Sequence, residues 1–372
     1  MKRDLDSRLI VSRRRFLKTA IAASAGLSLS SCGWTLAKVR TDQVIKQSAD
    51  TLYIYTWASY IDQELVNAFQ SKTGIKVVFD IFSSNEEMLA TYQAGKGKIY
   101  SVIYPSDYKV TQMIKLGYLQ ELNRDRLPSL NNLFPRFQQS VHDSGNRYSV
   151  PTSWGTTGLI YNSEKLADVP TDWNFLWQQK QKIERRVTLM DDVREVMGAT
   201  LRSLGFSYNS TNPNELKQAY ERLLELKPAI ATFTTDAWKD QIIAGDLLIA
   251  MGYSSDASLV MHQNPKLKYV IPKSGTSLWG DTMVIPKTAP NPDAAYEWIN
   301  FLLQPEIAAK LTERLLFATP NQAAFQQLPE GLRSNPSLFP SEPQLKSAEA
   351  IVPVDKSVLE LYEQYWTKLS SN

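Results

Sequence analysis

Two kinds of side chain are nearly missing from this 372-residue chain: it has one cysteine and two histidines. A single cysteine excludes a disulfide framework and a thiolate metal site. His142 and His262 stand far apart, and neither has a second histidine at ligand spacing, so both read as surface or packing residues. No metal centre and no other cofactor is expected. A membrane-length hydrophobic run is absent as well. The main apolar stretch, residues 19–29, would rise about 16 Å as a helix, too short to span a bilayer. There is no internal repeat and no low-complexity block.

Basicity is also scarcer than the net charge of +3 suggests. Residues 1–31 hold seven Lys/Arg and two acids, so they carry +5 and leave the remainder at about −2. With no basic stripe to neutralise a phosphate backbone, a nucleic-acid partner is not expected. What the first 31 residues do have is the order of an export signal: a charged region, an apolar region, then small residues. Arg13-Arg14-Arg15-Phe16-Leu17-Lys18 resembles a twin-arginine signal, and Leu29-Ser30-Ser31-Cys32 resembles a bacterial lipobox. The resemblance implies that Cys32 is acylated and becomes the new N-terminus, which gives a periplasmic, membrane-anchored lipoprotein. Residues 32–49 are polar and unpatterned, as a tether would be.

The roughly 340 residues that remain are too many for one compact core and suit two lobes. Short β-branched or apolar runs at 52–55, 75–81 and 101–104 each lead into an amphipathic stretch. The rhythm returns after Pro151, with strands expected at 158–161, 186–190, 246–251, 268–271 and 282–285. Helices are expected at 62–73, from 84, at 108–117, 193–204, 214–226, 292–303 and 358–369. Alternating strands and helices imply mostly parallel sheets, whose ligands bind off the carboxyl ends of the strands.

Several carboxylates fall at or near such ends, each beside an aromatic ring. Asp192 and Glu195 share one helix face, although Asp-x-x-Glu is also an ordinary helix start. Asp256 follows Tyr253 by three residues and Asp281 follows Trp279 by two, spacings that turn chemistry also produces. Taken singly, Trp57, Tyr60, Tyr108 and Phe317 could each be core. Together they form acids with almost no matching bases, flanked by ring faces, which suits a cation on an apolar stem. A metal would want the acids, but the rings would be superfluous.

The segments Tyr55-Thr56-Trp57-Ala58-Ser59-Tyr60, Ser84-Asn85-Glu86, Tyr104-Pro105-Ser106-Asp107-Tyr108, Ser153-Trp154-Gly155, Asp191-Asp192-Val193-Arg194-Glu195, Leu278-Trp279-Gly280-Asp281 and Ala318-Thr319-Pro320-Asn321 resemble the polyamine-binding proteins of bacterial ABC importers. The resemblance runs in order from about residue 51 to 321. It implies an α/β, two-lobed periplasmic-binding-protein fold, each lobe a mostly parallel sheet flanked by helices, with the ligand cleft at the hinge. Lobe 1 would comprise 50–155 plus 283–318, and lobe 2 would comprise 156–282 plus 319–372. It further implies a receptor, not an enzyme, that acts as a monomer and delivers a polyamine to membrane-embedded ABC permease subunits. Trp57, Tyr60, Ser106 and Tyr108 would line one side of the cleft. Asp192, Glu195, Tyr253, Asp256, Trp279, Asp281 and Phe317 would complete it, the acids holding ammonium groups and the rings sandwiching methylenes. Family members often have Trp where Tyr253 stands and Tyr where Phe317 stands, and a ligand-contacting glutamine aligns with Ile351. Asp256 matches an acid of receptors that favour the diamine, which points to putrescine over spermidine.

Two other readings fit parts of the chain. One is a receptor of the same fold for another cationic or polar solute, since fold does not fix ligand. The other is a serine penicillin-binding or β-lactamase-like enzyme, because Ser106-x-x-Lys109, Ser207-x-Asn209 and Lys273-Ser274-Gly275 occur in that order. Ser106 would then be the nucleophile and Lys109 its base.

Overall fold

The computed structural model describes residues 50–371. The expected export signal, Cys32 and the tether lie outside the described residues. Nine strands form one sheet in the order β2-β1-β3-β9-β4-β7-β5-β6, with β8 paired to β4. They are β1 (Thr51–Thr56), β2 (Lys76–Ile81), β3 (Val102–Ile103), β4 (Ser149–Asn162), β5 (Val187–Leu189), β6 (Ile230–Phe233), β7 (Ile249–Tyr253), β8 (Leu267–Val270) and β9 (Leu278–Val284). Each outer trio is parallel, β2-β1-β3 on one side and β7-β5-β6 on the other. The centre is antiparallel, where β9 and β4 join the two trios. β4 belongs to both: its residues 149–156 pair with β9, and 157–162 pair with β7 and β8.

Most outer strands form where the β-branched runs predict them, but β6 was not expected, and the central pair was expected only in part. β4 was expected only from 158, and β9 only from 282. β4 reads Ser-Val-Pro-Thr-Ser-Trp-Gly-Thr-Thr before its apolar end, yet all but one of its 14 residues are buried. Small hydroxyl side chains bury well when they are hydrogen-bonded, so the strand shows no alternation for a pattern to detect. Pro151 sits where the β4–β9 register shifts, a place where a missing N–H costs nothing.

Apolar side chains pack on both faces of each trio. Leu52, Ile54 and Val102 meet the helix Pro292–Leu303 through Tyr296, Ile299 and Leu303, while Tyr55, Met88 and Met113 fill the opposite face. On the second trio Leu189, Met197, Leu201, Leu223 and Tyr362 form one core, and Trp238, Ile242 and Val260 the other. This is the two-lobed α/β architecture of periplasmic binding proteins. The segment expected in lobe 2 from residue 319 instead begins on lobe 1: Ala324 and Leu328 pack on Ala308 and Ala309, and Leu338 on Trp154. It crosses at Glu349, which binds Arg202 at 2.9 Å, Ser207 at 2.5 Å and the Tyr208 amide at 3.1 Å. No helix among the described residues is long and apolar enough to cross a membrane.

Candidate functional site

Three of the parallel strands end in residues expected at a cleft. β1 runs into Trp57 and the turn Ala58–Tyr60, β3 into Ser106 and the helix Asp107–Lys115, and β5 into Asp192 and the helix Val193–Ser203. β7 itself closes on Tyr253, which immediately precedes the helix Ser254–Gln263. Trp279 and Asp281 differ from this plan. They lie within β9 and not at its end, so the face of a central strand forms the floor.

Around Asp281 the first cluster assembles. Ser106 Oγ donates to its Oδ1 at 2.7 Å and Tyr60 Oη donates to its Oδ2 at 2.7 Å. Ser153, opposite Asp281 in the β4–β9 register, is bonded in turn to Tyr60 Oη. The Tyr60 ring stacks on Phe317, centroids 4.6 Å apart and 9° from parallel. Asn85 holds the neighbouring turn: it accepts from the Ser106 amide and donates to Ser106 Oγ at 3.0 Å and Tyr108 Oη at 3.2 Å. Burial raises the Asp281 pKa, and the two hydroxyl donors only partly oppose this.

The second cluster surrounds Glu195, which is 2% exposed. Tyr208 Oη donates to its Oε2 at 2.6 Å, and Ser277 Oγ donates at 2.8 Å. Burial, then the charge of Asp192, push its carboxyl up to about 7. Asp192 caps its helix, accepting from the amides of Arg194 at 2.9 Å and Glu195 at 3.1 Å, so the helix-start reading is correct for it. Its pKa is also raised, by burial first.

Between the clusters lies Trp279, its ring edge-on to Tyr253 at 5.3 Å. Ser277, Trp279 and Asp281 alternate along the chain and so share one face of β9 and its extension. Gly155 faces Trp279 across the strands, and a Cβ there would overlap the indole and Ser254 Oγ. After burial, the charges of Asp192 and Glu195, the Tyr108 hydroxyl and the charge of Asp281 all hold the Tyr253 hydroxyl well above its usual pKa, which ties the two clusters to one place. Trp57 packs edge-on to Phe82 at 4.5 Å. The indole N–H groups of Trp57 and Trp279 are buried and have no hydrogen-bond partner.

Asp256 is not part of this assembly. Its Oδ1 is 2.7 Å from Lys239 Nζ, an internal ion pair. Ile351 is buried in the second core. The penicillin-binding motif does not assemble: Ser106 is bonded to Asp281, and Lys109 Nζ is ion-paired to Glu86 at 2.9 Å. Asn85, Asp107, Ser153, Tyr208 and Ser277 were not named from the sequence as site residues. Ser277 could have been found from its two-residue phase with Trp279 and Asp281. Asp107, beneath Gly280, has a pKa raised by burial and stands 3.7 Å from His142, whose own pKa burial lowers to about 4. Among the described residues no cluster of three or more His, Cys, Asp or Glu is placed to hold a metal.

These residues therefore form an acid-rich, ring-lined cluster in which neither Asp281 nor Glu195 has a cation within ion-pair distance among the described residues. Residues 64–340 match the model of a family described as bacterial extracellular solute-binding protein. Over 360 residues the chain is 33% identical to spermidine/putrescine-binding periplasmic protein 1 of Haemophilus influenzae, which covers 96% of this chain and 99% of that one. It is 35% identical to the spermidine/putrescine-binding periplasmic protein of Salmonella typhimurium, covering 87% and 92%. A solved structure from Listeria monocytogenes, titled a spermidine/putrescine ABC transporter, superposes with a TM-score of 0.82 at 37% identity, covering 87% of this chain and 99% of that one.

Proposed function

The chain belongs to the bacterial extracellular solute-binding proteins, and from that premise we propose that its ligand is a polyamine clamped between the two lobes. One observation carries the reading. Along one face of β9 the order is Ser277 with the Glu195 carboxylate, then Trp279, then Asp281. The two acid stations stand four residues apart, ~13 Å along an extended strand, and their side chains reach toward the ring between them. A diamine has the matching order of charge, methylenes, charge. Each ammonium would meet a desolvated carboxylate, and the chain would lie on the indole and the Tyr253 ring.

The two stations favour putrescine over spermidine, and delivery would be to a membrane-embedded ABC permease. The protein would work as a monomer, exported by the twin-arginine route and held at the membrane through a lipid on Cys32. It needs no nucleophile, so Ser106 and Lys109 serve binding and structure. Calorimetric titration of the purified protein against putrescine, spermidine, arginine, maltose and ferric citrate tests the reading. Saturable heat is expected from the polyamines alone. Binding of maltose or ferric citrate with silent polyamines would refute it, and so would covalent labelling of Ser106 by a fluorescent penicillin.

A further inference from the structure

The Glu195 carboxylate is held by hydroxyls from two segments far apart in the chain, Tyr208 and Ser277, and both segments are tied to one residue, Glu349. The main chain of Glu349 pairs with Ser277 in a parallel bridge. Its amide donates to the Thr276 carbonyl and its carbonyl accepts from the Leu278 amide, each at 2.9 Å. Its side chain turns to the other donor. Oε1 accepts from the Tyr208 amide at 3.1 Å and from Arg202 Nη1 at 2.9 Å, while Oε2 accepts from Ser207 Oγ at 2.5 Å. Arg202 lies two turns after Glu195 on the same helix and also donates to the Ser274 carbonyl at 2.7 Å. Tyr208 and Ser277 are both fully buried, and the Tyr208 ring lies against Gly198, where a Cβ would overlap it. With both side chains enclosed, the direction of each hydroxyl follows its backbone, and Glu349 binds that backbone at both places.

We infer that Glu349 is a positioning residue: by tying the Tyr208 and Ser277 segments together it keeps two hydroxyls aimed at Glu195 and so presets that carboxylate for an ammonium group. This rests on the polyamine reading and adds to it the residue that builds one of the two acid stations from behind. Hydrogen bonds to a carboxylate favour its charged form, here against burial and the charge of Asp192. The other titratable groups facing Glu195 are the hydroxyls of Tyr208, Tyr253 and Tyr269, with Arg194 beside Asp192. Glu349→Ala frees the Tyr208 amide but leaves the main-chain bridge to Ser277. The protonation midpoint of Glu195 should therefore rise by at least about half a pH unit. Loss of the Glu349 charge alone would lower it, so the direction separates positioning from electrostatics.

Putrescine titrations from about pH 5.5 to 8.5, with isotope-edited NMR of the Glu195 carboxyl carbon in the empty protein, test the idea. Glu195→Gln assigns the carboxyl signal. In Glu349→Ala putrescine affinity should fall about threefold near pH 6 and rejoin the wild type near pH 8.5, a convergence that general loosening of the site does not give. Glu349→Gln keeps an acceptor for the Tyr208 amide and should abolish the rise. Tyr208→Phe should raise the midpoint as Glu349→Ala does, and the double variant should go no further, since both act through one hydroxyl. An unmoved or lowered midpoint in Glu349→Ala, or additive shifts in the double variant, overturns the inference. If Glu349→Ala fails to fold, Glu349→Met replaces it, and the absence of a melting transition in both makes Glu349 merely structural and overturns the inference too. A wild type that binds neither putrescine nor spermidine removes the polyamine reading, while the carboxyl titration of the empty protein still decides the role of Glu349.

Discussion

Asp281 receives two hydroxyl hydrogen bonds and no cation, so its charge is positioned but not neutralised. Replacing it with Asn preserves shape and one acceptor while removing the partner of an ammonium group. Polyamine affinity should fall by about 30-fold to several thousand-fold, the ~2–5 kcal/mol expected when one member of a desolvated charge pair is lost. A loss under threefold would show by titration that the ligand lies elsewhere. Trp279→Ala should cost a comparable amount through lost ring area. Glu195 adds a pH signature. Its carboxyl is raised to about 7, so the empty cleft binds a proton that an ammonium must displace. Affinity should climb with pH, by at most about tenfold per unit below 7, and level off above it. The same raised pKa means that this group's contribution to stability diminishes as pH rises from about 4.5 toward 7. Glu195→Gln should abolish the pH dependence of binding, and calorimetry in two buffers of different ionisation enthalpy should detect the released proton in the wild type only. Asp281 and Glu195 were legible in the sequence because acids stood beside rings without bases. Tyr60 and Ser106, which hold Asp281, were named as well. The Tyr208 and Ser277 hydroxyls on Glu195 were not, since Ser277 looks like any loop serine until the chain leading into β9 brings it beside that carboxylate.

At the level of elements, the parallel trios were readable except for β6, and the antiparallel centre was not. β1 and β2 announce themselves through Leu, Ile, Val and Tyr. β4 and the start of β9 are built of Ser, Thr, Gly, Trp and Asp, residues that turns also use, and only the partner strand reveals them. Asp256 shows the same limit: its neighbour Tyr253 was visible, while Lys239, brought in by a separate helix, was not. Gly155 makes the strand pair testable. Its missing Cβ is the space into which the Trp279 indole settles. Gly155→Ala should displace the ring, lower polyamine affinity by at least tenfold and reduce the melting temperature by several degrees, on the scale of ~1–3 kcal/mol for an overpacked site. An unchanged titration and melt would mean that the indole is free to move aside.

For the whole molecule, location and stability are separable questions. If Cys32 carries the lipid, Cys32→Ala should move the protein from detergent-extracted membranes to the soluble periplasmic fraction. Arg13→Lys with Arg14→Lys should block export by the twin-arginine route, and fractionation of cells expressing each variant decides both points. β3 is flanked on one side by β9, with Ile103 opposite Val284. The edge of the first trio therefore stays unpaired until some 180 more residues have been synthesised, about 10–40 s at usual bacterial elongation rates. During that interval the nascent lobe presents an open strand edge, and its closure demands a contact of very high sequence separation, the kind that makes folding slow. Such a chain gains from being shielded by chaperones until its last central strand arrives, and from crossing the membrane only after that strand is in place.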